Sequence, residues 1–229
     1  MRISVCIPCM NRTHDLRQVM PSLIVAANVS PPIEIAVLDY NSQDDLGPFI
    51  LETQQRVKFA DGNDLSYRKY TGRDHYHMAH ARNLSALASR GDYILISSAD
   101  ILMERDYLKM VRKELKKRYV WLHHSDRFVG VTCVERQEFV EAGGFDERFE
   151  FYGKEDKDLF ARLKRRGALH AQIPDLLSLI PTPWSEKTKN YRLPLSRQQM
   201  SKLSKAIYQG NMREGVLVAN AGREWAQWE

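Results

Sequence analysis

The sequence predicts an α/β domain built on a mostly parallel, doubly wound sheet, and three observations carry that reading. Short apolar runs at Ile3–Pro8, Ile33–Leu38 and Tyr93–Ile96 alternate with stretches whose apolar residues recur at helical spacing, the order that yields parallel strands joined by crossover helices. The runs hold almost no polar alternation, as expected of strands covered on both faces. Each also ends in a polar cluster: Pro8–Arg12, Asp39–Asp45 and Ser97–Asp100. Ligands of open α/β sheets bind outside the carboxyl ends of the strands, so the three clusters point to one site.

The remaining elements follow in order. A helix starts near Thr13 with Leu16, Val19, Met20, Leu23 and Ile24 on one side, and Pro21 is expected to kink or restart it. Pro31-Pro32 ends the connection to the second strand. Val57–Ala60 and Ser66–Tyr70 read as shorter strands around an Asp61-Gly62-Asn63-Asp64 turn, and Met78–Ser89 as a helix. Within the basic stretch Arg105–Arg118, Leu108, Val111 and Leu115 recur at helical spacing among Lys109, Arg112, Lys113, Lys116 and Lys117. This is an amphipathic helix with a solvated basic side; docking of 105–118 on an anionic membrane surface or acceptor is the alternative. Phe128–Val134 is strand-like, Arg136–Ala142 a short helix and Gly143-Gly144 a break. Glu155–Arg166 reads as a helix with Leu159, Phe160 and Leu163 inward. Its acidic first turn and basic last turn suit the helix dipole. Beyond Trp184 the chain is polar and basic, with one helix near Ser196–Gln209.

Composition excludes several classes. The 229 residues are 43% hydrophobic and 28% charged, the profile of a globular enzyme, with no internal repeat or low-complexity segment. No apolar run approaches the ~20 residues of a membrane span, and the N-terminus enters a strand without a signal peptide's apolar stretch. Lys and Arg number 34 against 29 Asp and Glu, a net charge of +5. That surplus is too small and too scattered for a nucleic-acid binder. Cys6 and Cys9 have the spacing of a redox or zinc pair, but no second pair completes it, so Cys6, Cys9 and Cys133 read as free thiols of a reducing cytoplasm.

Five segments in register resemble family 2 glycosyltransferases of the GT-A fold over about residues 3–175. Ile3-Ser4-Val5-Cys6-Ile7-Pro8-Cys9-Met10-Asn11-Arg12 resembles the opening strand and Pro-x-x-Asn-Arg turn. Val37-Leu38-Asp39-Tyr40-Asn41-Ser42-Gln43-Asp44 is similar to the second-strand Val-Asp-Asp-Gly-Ser-x-Asp. Ala81-Arg82-Asn83 followed by Gly91-Asp92-Tyr93-Ile94-Leu95 resembles the helix and strand leading to the Asp-x-Asp metal motif. Gly143-Gly144-Phe145-Asp146-Glu147-Arg148-Phe149 and Tyr152-Gly153-Lys154-Glu155-Asp156-Lys157-Asp158 resemble the Gly-Gly-Phe-Asp-Glu and Trp-Gly-x-Glu-Asp-x-Asp segments of galactosyltransferase-type members. The resemblance implies one GT-A domain over 1–184, with a nucleotide-binding half at 1–103 and an acceptor and catalytic half at 104–184, then a helical extension at 185–229.

It also implies an activity: inverting transfer from a nucleoside diphosphate sugar, a uridine diphosphate sugar by expectation, to a hydroxyl of a glycan acceptor, as in polysaccharide biosynthesis. Asp39 would accept hydrogen bonds from the base or ribose beside Pro8, Met10 and Arg12. Met10 replaces the aromatic residue common in the family's first turn, and Ser98 and Ala99 would also face the nucleotide. Turn capping is the alternative for Asp39. Arg82 would contact the diphosphate, since a guanidinium fork suits phosphate oxygens; a helix-surface arginine is the alternative. Asp156 is the expected general base and Glu155 the partner that binds an acceptor sugar or holds the loop, against a reading in which both merely cap a helix.

Two departures concern metal. Ser98-Ala99-Asp100 stands where the family has Asp-Ala-Asp, leaving Asp100 as the expected ligand of Mn²⁺ or Mg²⁺ with phosphates and water. The histidine that often follows the base-bearing helix is absent from Leu177–Pro181. His75, His77 and His80 cluster before Ala81, but their spacing matches no common helical ligand pair. These departures motivate a second reading, a catalytically degenerate GT-A fold that binds a nucleotide sugar or glycan.

Overall fold

A computed structural model describes residues 1–228. Its central sheet has seven strands in the order β3-β2-β1-β4-β7-β6-β8: β1 (Ile3–Cys9), β2 (Ile33–Tyr40), β3 (Asp64–Tyr70), β4 (Tyr93–Ile96), β6 (Trp121–His123), β7 (Thr132–Glu135) and β8 (His170–Gln172). The first four strands run parallel, with β1 between β2 and β4. Only β7 runs antiparallel to its neighbours β4 and β6. A second, two-stranded sheet pairs β5 (Ile101–Met103) with β9 (Leu177–Leu179).

Strand alternation sends β1 into two cores. Ile3, Val5, Ile7 and Cys9 face a cluster with Leu16, Val19 and Leu23 of α1 (Thr13–Val29), Phe49 and Ile50 of α2 (Leu46–Arg56), and Leu108, Val111 and Leu115 of α4 (Tyr107–Leu115). Cys6 faces the other layer with Ala79 and Ala86 of α3 (Met78–Ala88), Phe139 of α5 (Arg136–Glu141), and Leu159 and Leu163 of α6 (Glu155–Arg165). Cys6 and Cys9 therefore point to opposite faces, and all three cysteines are buried and unpaired.

The structure departs from several sequence expectations. Pro21 does not restart α1, which continues past it as one helix with the proline ring exposed to solvent. Val57–Ala60 is no strand: Val57 caps α2, and Asn28 satisfies the backbone of Lys58 and Ala60. Of the cations on the basic helix, Arg112 turns inward and donates to the carbonyls of Met1, Ser30 and Pro32. No helix among the described residues is long and apolar enough to cross a membrane.

The segment after residue 184 packs into the body. It holds α7 (Trp184–Thr188) and α8 (Arg197–Glu214), the latter opened by a full Ser196/Gln199 capping box. Asn211 of α8 donates to both Asp146 and Asp158, and Arg162 pairs with Asp158 at 2.9 Å. The Gly143-Gly144 break has a steric cause. Both residues have positive φ, and a Cβ on Gly143 would lie 2.1 Å from the Ala219 carbonyl oxygen. A Cβ on Gly144 would lie 2.6 Å from Asn83 Oδ1 and from the Trp225 ring. These glycines let the C-terminal tail lie directly on the backbone, where Asn220 donates to the carbonyls of Gly143 and Phe145.

Candidate active site

The cleft lies at the carboxyl ends of β1 and β4. Pro8, Met10 and Arg12 form one wall, Ser98, Ala99 and Asp100 the floor, and Arg82 of α3 the far side. Seven of the ten residues expected in the site thus share one cleft. Segment 182–191 roofs it, pinned at both ends. Thr182 accepts from Arg12 Nη2 at 3.2 Å, and Asn190 donates to the Met10 carbonyl at 2.9 Å and accepts from Asn11. The Asn190 carbonyl in turn accepts from the Tyr76 backbone N–H at 2.6 Å.

Asp39 stands apart from this group. It ends β2, 1% exposed, and does not line the cleft. Its Oδ1 accepts from the Ser42 backbone N–H at 2.7 Å and its Oδ2 from the Tyr67 hydroxyl at 2.6 Å. Both oxygens are occupied in tying the turn, and Asn41 takes the left-handed conformation (φ 58°) that the turn needs.

Glu155 and Asp156 open α6 behind Arg82. Its Nη1 donates to Asp156 Oδ1 at 2.7 Å and to Glu155 Oε1 at 3.2 Å. All three side chains are buried, and the guanidinium lies 5.2 Å from the Phe145 ring centroid. Burial raises the pKa of both carboxyls. The neighbouring Asp156 charge pushes Glu155 further up, and Arg82 pulls both back. One guanidinium between two carboxylates leaves this trio with a net negative charge when all are ionised.

Asp100 is 4% exposed and already held by cations. Lys187 Nζ lies 2.6 Å and Arg12 Nη2 3.4 Å from its Oδ2, while Ser98 Oγ donates to its Oδ1 at 2.5 Å. Burial alone would raise its pKa, but Arg12, Lys187 and Ser98 together bring it below the usual carboxylate range. Arg12 also pairs with Asp15 at 2.6 Å. No group of three or more His, Cys, Asp or Glu among the described residues is placed to hold a metal ion. His75 bonds Asp74, His77 caps α3 by accepting from the His80 N–H, and His80 bonds Tyr40 and the Gln227 carbonyl. Burial, reinforced by Arg73, lowers the pKa of His77 to about 3 and of His80 to about 4.

Sequence reasoning missed Lys187, Asn190 and the aromatic side chains Tyr152 and Trp184, which meet edge to face at 5.2 Å beside the cleft. Trp184, Lys187 and Asn190 lie in a polar stretch with little local signal, whereas Tyr152 opens the Tyr152–Asp158 segment, which was read for its carboxylates alone. Two cleft-lining donors, Ser97 Oγ and the Trp184 indole N–H, are buried and meet no acceptor in the protein. The charged side chains lining the cleft are thus Arg12, Arg82, Lys187 and Asp100, and each cation also has a carboxylate partner: Asp15 for Arg12, Glu155 and Asp156 for Arg82, and Asp100 for Lys187.

Comparison with known proteins bears on the family and the fold. The family model described as glycosyl transferase family 2 matches residues 4–168. No curated protein sequence matches the chain. Among solved structures, S. aureus TarS 1–349 in complex with UDP is similar with a TM-score of 0.64 at 12% identity, covering 93% of this chain and 72% of that one. Against another structure of that fragment, the chain spans 58% of its length. The mannosyltransferase PcManGT from Pyrobaculum calidifontis, in complex with GDP-Man and Mn²⁺, gives 0.65 at 16% identity, covering 94% and 72%. Drosophila β1,4-galactosyltransferase 7, in complex with manganese, UDP-Gal and xylobiose, gives 0.57 at 16% identity, covering 87% and 78%.

Proposed function

The chain belongs to glycosyl transferase family 2 and has the GT-A fold, and from that premise we propose that it transfers a sugar from a nucleoside diphosphate sugar of the uridine series to a hydroxyl of a glycan acceptor, inverting the anomeric centre. The three basic side chains that line the cleft around Asp100, namely Arg12, Arg82 and Lys187, carry this reading. The diphosphate lies against Arg12 and Lys187, the base lies toward Pro8 and Met10, and the sugar lies near Tyr152 and Trp184, whose rings suit the apolar face of a pyranose. The neighbours' bound UDP and GDP-Man support the donor class, and bound xylobiose supports a glycan acceptor.

Asp156 is the general base. It takes the proton of the acceptor hydroxyl, whose oxygen bonds the anomeric carbon from the face opposite the departing diphosphate. The carbon–oxygen bond to the diphosphate breaks, and its electron pair leaves with the nucleotide. Arg82 orients Asp156 and offsets part of the burial that raises its pKa. Glu155, restrained by the Gly153 N–H at 2.8 Å, keeps that guanidinium in place. Asp39 acts on the nucleotide only through the turn it ties. A divalent ion at Asp100 is the family expectation, but the donor set here does not fit one, because both oxygens of the lone carboxylate are engaged by Lys187, Arg12 and Ser98. No step is assigned to a metal. The buried free cysteines favour a reducing, cytoplasmic setting.

Release of nucleoside diphosphate from a panel of sugar nucleotides, with and without oligosaccharide acceptors, tests the reading. Wild-type protein turns over one donor, and Asp156→Asn lowers its turnover by roughly 10²- to 10⁴-fold while binding it equally well. A variant that keeps more than about a tenth of the rate removes Asp156 from the base role. Donor binding without turnover by the wild type is the outcome expected of the degenerate binding module, which the tight Arg82–Asp156 pairing favours.

A further inference from the structure

Building on that nucleotide-sugar reading, we propose that Lys187 of the roofing segment, together with Arg12, takes the place of a divalent cation, so that this chain binds the diphosphate of its donor without metal. Lys187 and Arg12 converge on a single oxygen of Asp100, at 2.6 and 3.4 Å, and Ser98 holds the other oxygen. Mg²⁺ approaches a carboxylate oxygen to about 2.0–2.1 Å. An ion on Asp100 Oδ2 would therefore have to expel the ammonium that already neutralises it. The position that would supply a second carboxylate is Ser98, and Asp15, which shares Arg12 with Asp100, is engaged by that guanidinium at 2.6 Å.

The lysine is also built in. Segment 182–191 is tied to the turn that follows β1 by Thr182 at one end and Asn190 at the other. Lys187 therefore projects from a short helix whose two flanks are fixed. An ammonium has three N–H donors, and Asp100 uses one. The side chain is 30% exposed and lines the cleft, so its remaining donors are free for phosphate oxygens. Asp100 thereby becomes the residue that positions a cation rather than a metal ligand. As the bond to the sugar breaks, charge grows on the terminal phosphate, and a fixed ammonium beside it stabilises that charge as an ion would.

Calorimetric titration of the whole chain with uridine diphosphate, once with EDTA and once with Mn²⁺, tests this. The expected dissociation constants agree within about threefold, and Lys187→Met weakens binding by roughly 10- to 100-fold, the loss of one charge-assisted hydrogen bond. Lys187→Arg, which keeps the charge, should retain most of the affinity, and uridine, which lacks phosphates, should bind wild type and Lys187→Met alike. Thermal denaturation of both variants confirms that they are folded. Binding that appears only with Mn²⁺, or that Lys187→Met leaves unchanged or tightens, overturns the inference and makes Lys187 a plug that the donor displaces; the family reading then stands. No binding in either condition by folded wild-type protein overturns the inference and the nucleotide reading together.

Discussion

Replacing Arg82 by methionine removes the guanidinium that Glu155 and Asp156 share, while the thioether keeps most of the packing against Phe145. Two adjacent buried carboxylates then have no counter-charge. Breaking a buried pair by deleting one partner costs about 3–5 kcal/mol, a large share of the ~5–15 kcal/mol that holds a domain together. The cost depends on pH with a definite sign. Burial already raises both folded-state pKa values above those of the unfolded chain, and losing Arg82 raises them further. A carboxyl with a raised folded pKa binds more protons folded than unfolded. Its favourable contribution is therefore present below the unfolded pKa, near 4, and is lost as pH rises through the folded value. Urea denaturation should show Arg82→Met destabilised by about 3–5 kcal/mol near pH 8 and by distinctly less near pH 4.5, where protonation relieves the unpaired charge. Asp156→Asn in the Arg82→Met background should recover part of the loss at pH 8. A destabilisation that is the same at both pH values, or below about 1 kcal/mol at pH 8, would refute the charge argument.

Other consequences are open to direct measurement. Asp39→Ala leaves the Ser42 N–H and Tyr67 hydroxyl without their acceptor, so it should lower unfolding free energy by roughly 1–3 kcal/mol. A variant of unchanged stability but impaired uridine binding would return Asp39 to a direct nucleotide contact. Gly143→Ala, with a Cβ 2.1 Å from the Ala219 carbonyl oxygen at φ +73°, should cost about 2–4 kcal/mol. It should also expose residues 219–228 to proteolysis. Because His77 and His80 titrate near 3 and 4 when folded, against 6.5 unfolded, their contribution is complete above pH 6.5 and is lost as pH falls through those values. Acid denaturation should therefore be milder in His80→Gln than in wild type, and identical acid midpoints would exclude this source.

What was legible in the sequence tracks how strongly local pattern determines structure. β4 was read to the residue and β1 to within one, because strands covered on both faces are continuous apolar runs bounded by polar clusters. α6 was equally clear from its charged ends. α2 was missed: only Leu46, Phe49, Ile50 and Thr53 are buried, and Gly47-Pro48 at its start reads as a turn. β5 and β9, three residues each, exist only because they pair with each other across more than seventy residues. In the site, the positions of Arg82 and Asp100 on the cleft lining were legible from motif. Their partners were not, because Arg82–Asp156 and Lys187–Asp100 join positions 74 and 87 residues apart and leave no periodic trace. At Asp39 the turn-capping alternative describes the bonds that the side chain makes. Its side chain follows the local chemistry of Asp-x-x-Ser, an oxygen accepting the N–H three residues on, which the sequence displays openly.

The pins of the roofing segment have a kinetic meaning. Asn190 joins Met10 and Asn11 across 180 and 179 residues, and Thr182 joins Arg12 across 170. Closing such loops carries an entropy cost that grows with the logarithm of their length and is repaid only once flanking structure exists. On a ribosome, the three parallel strands β1–β3 and α1 can pair while the remainder is still being translated. The cleft, by contrast, has no roof until residue 191 has left the exit tunnel. Nucleotide affinity should thus arise late and abruptly along a series of stalled nascent chains.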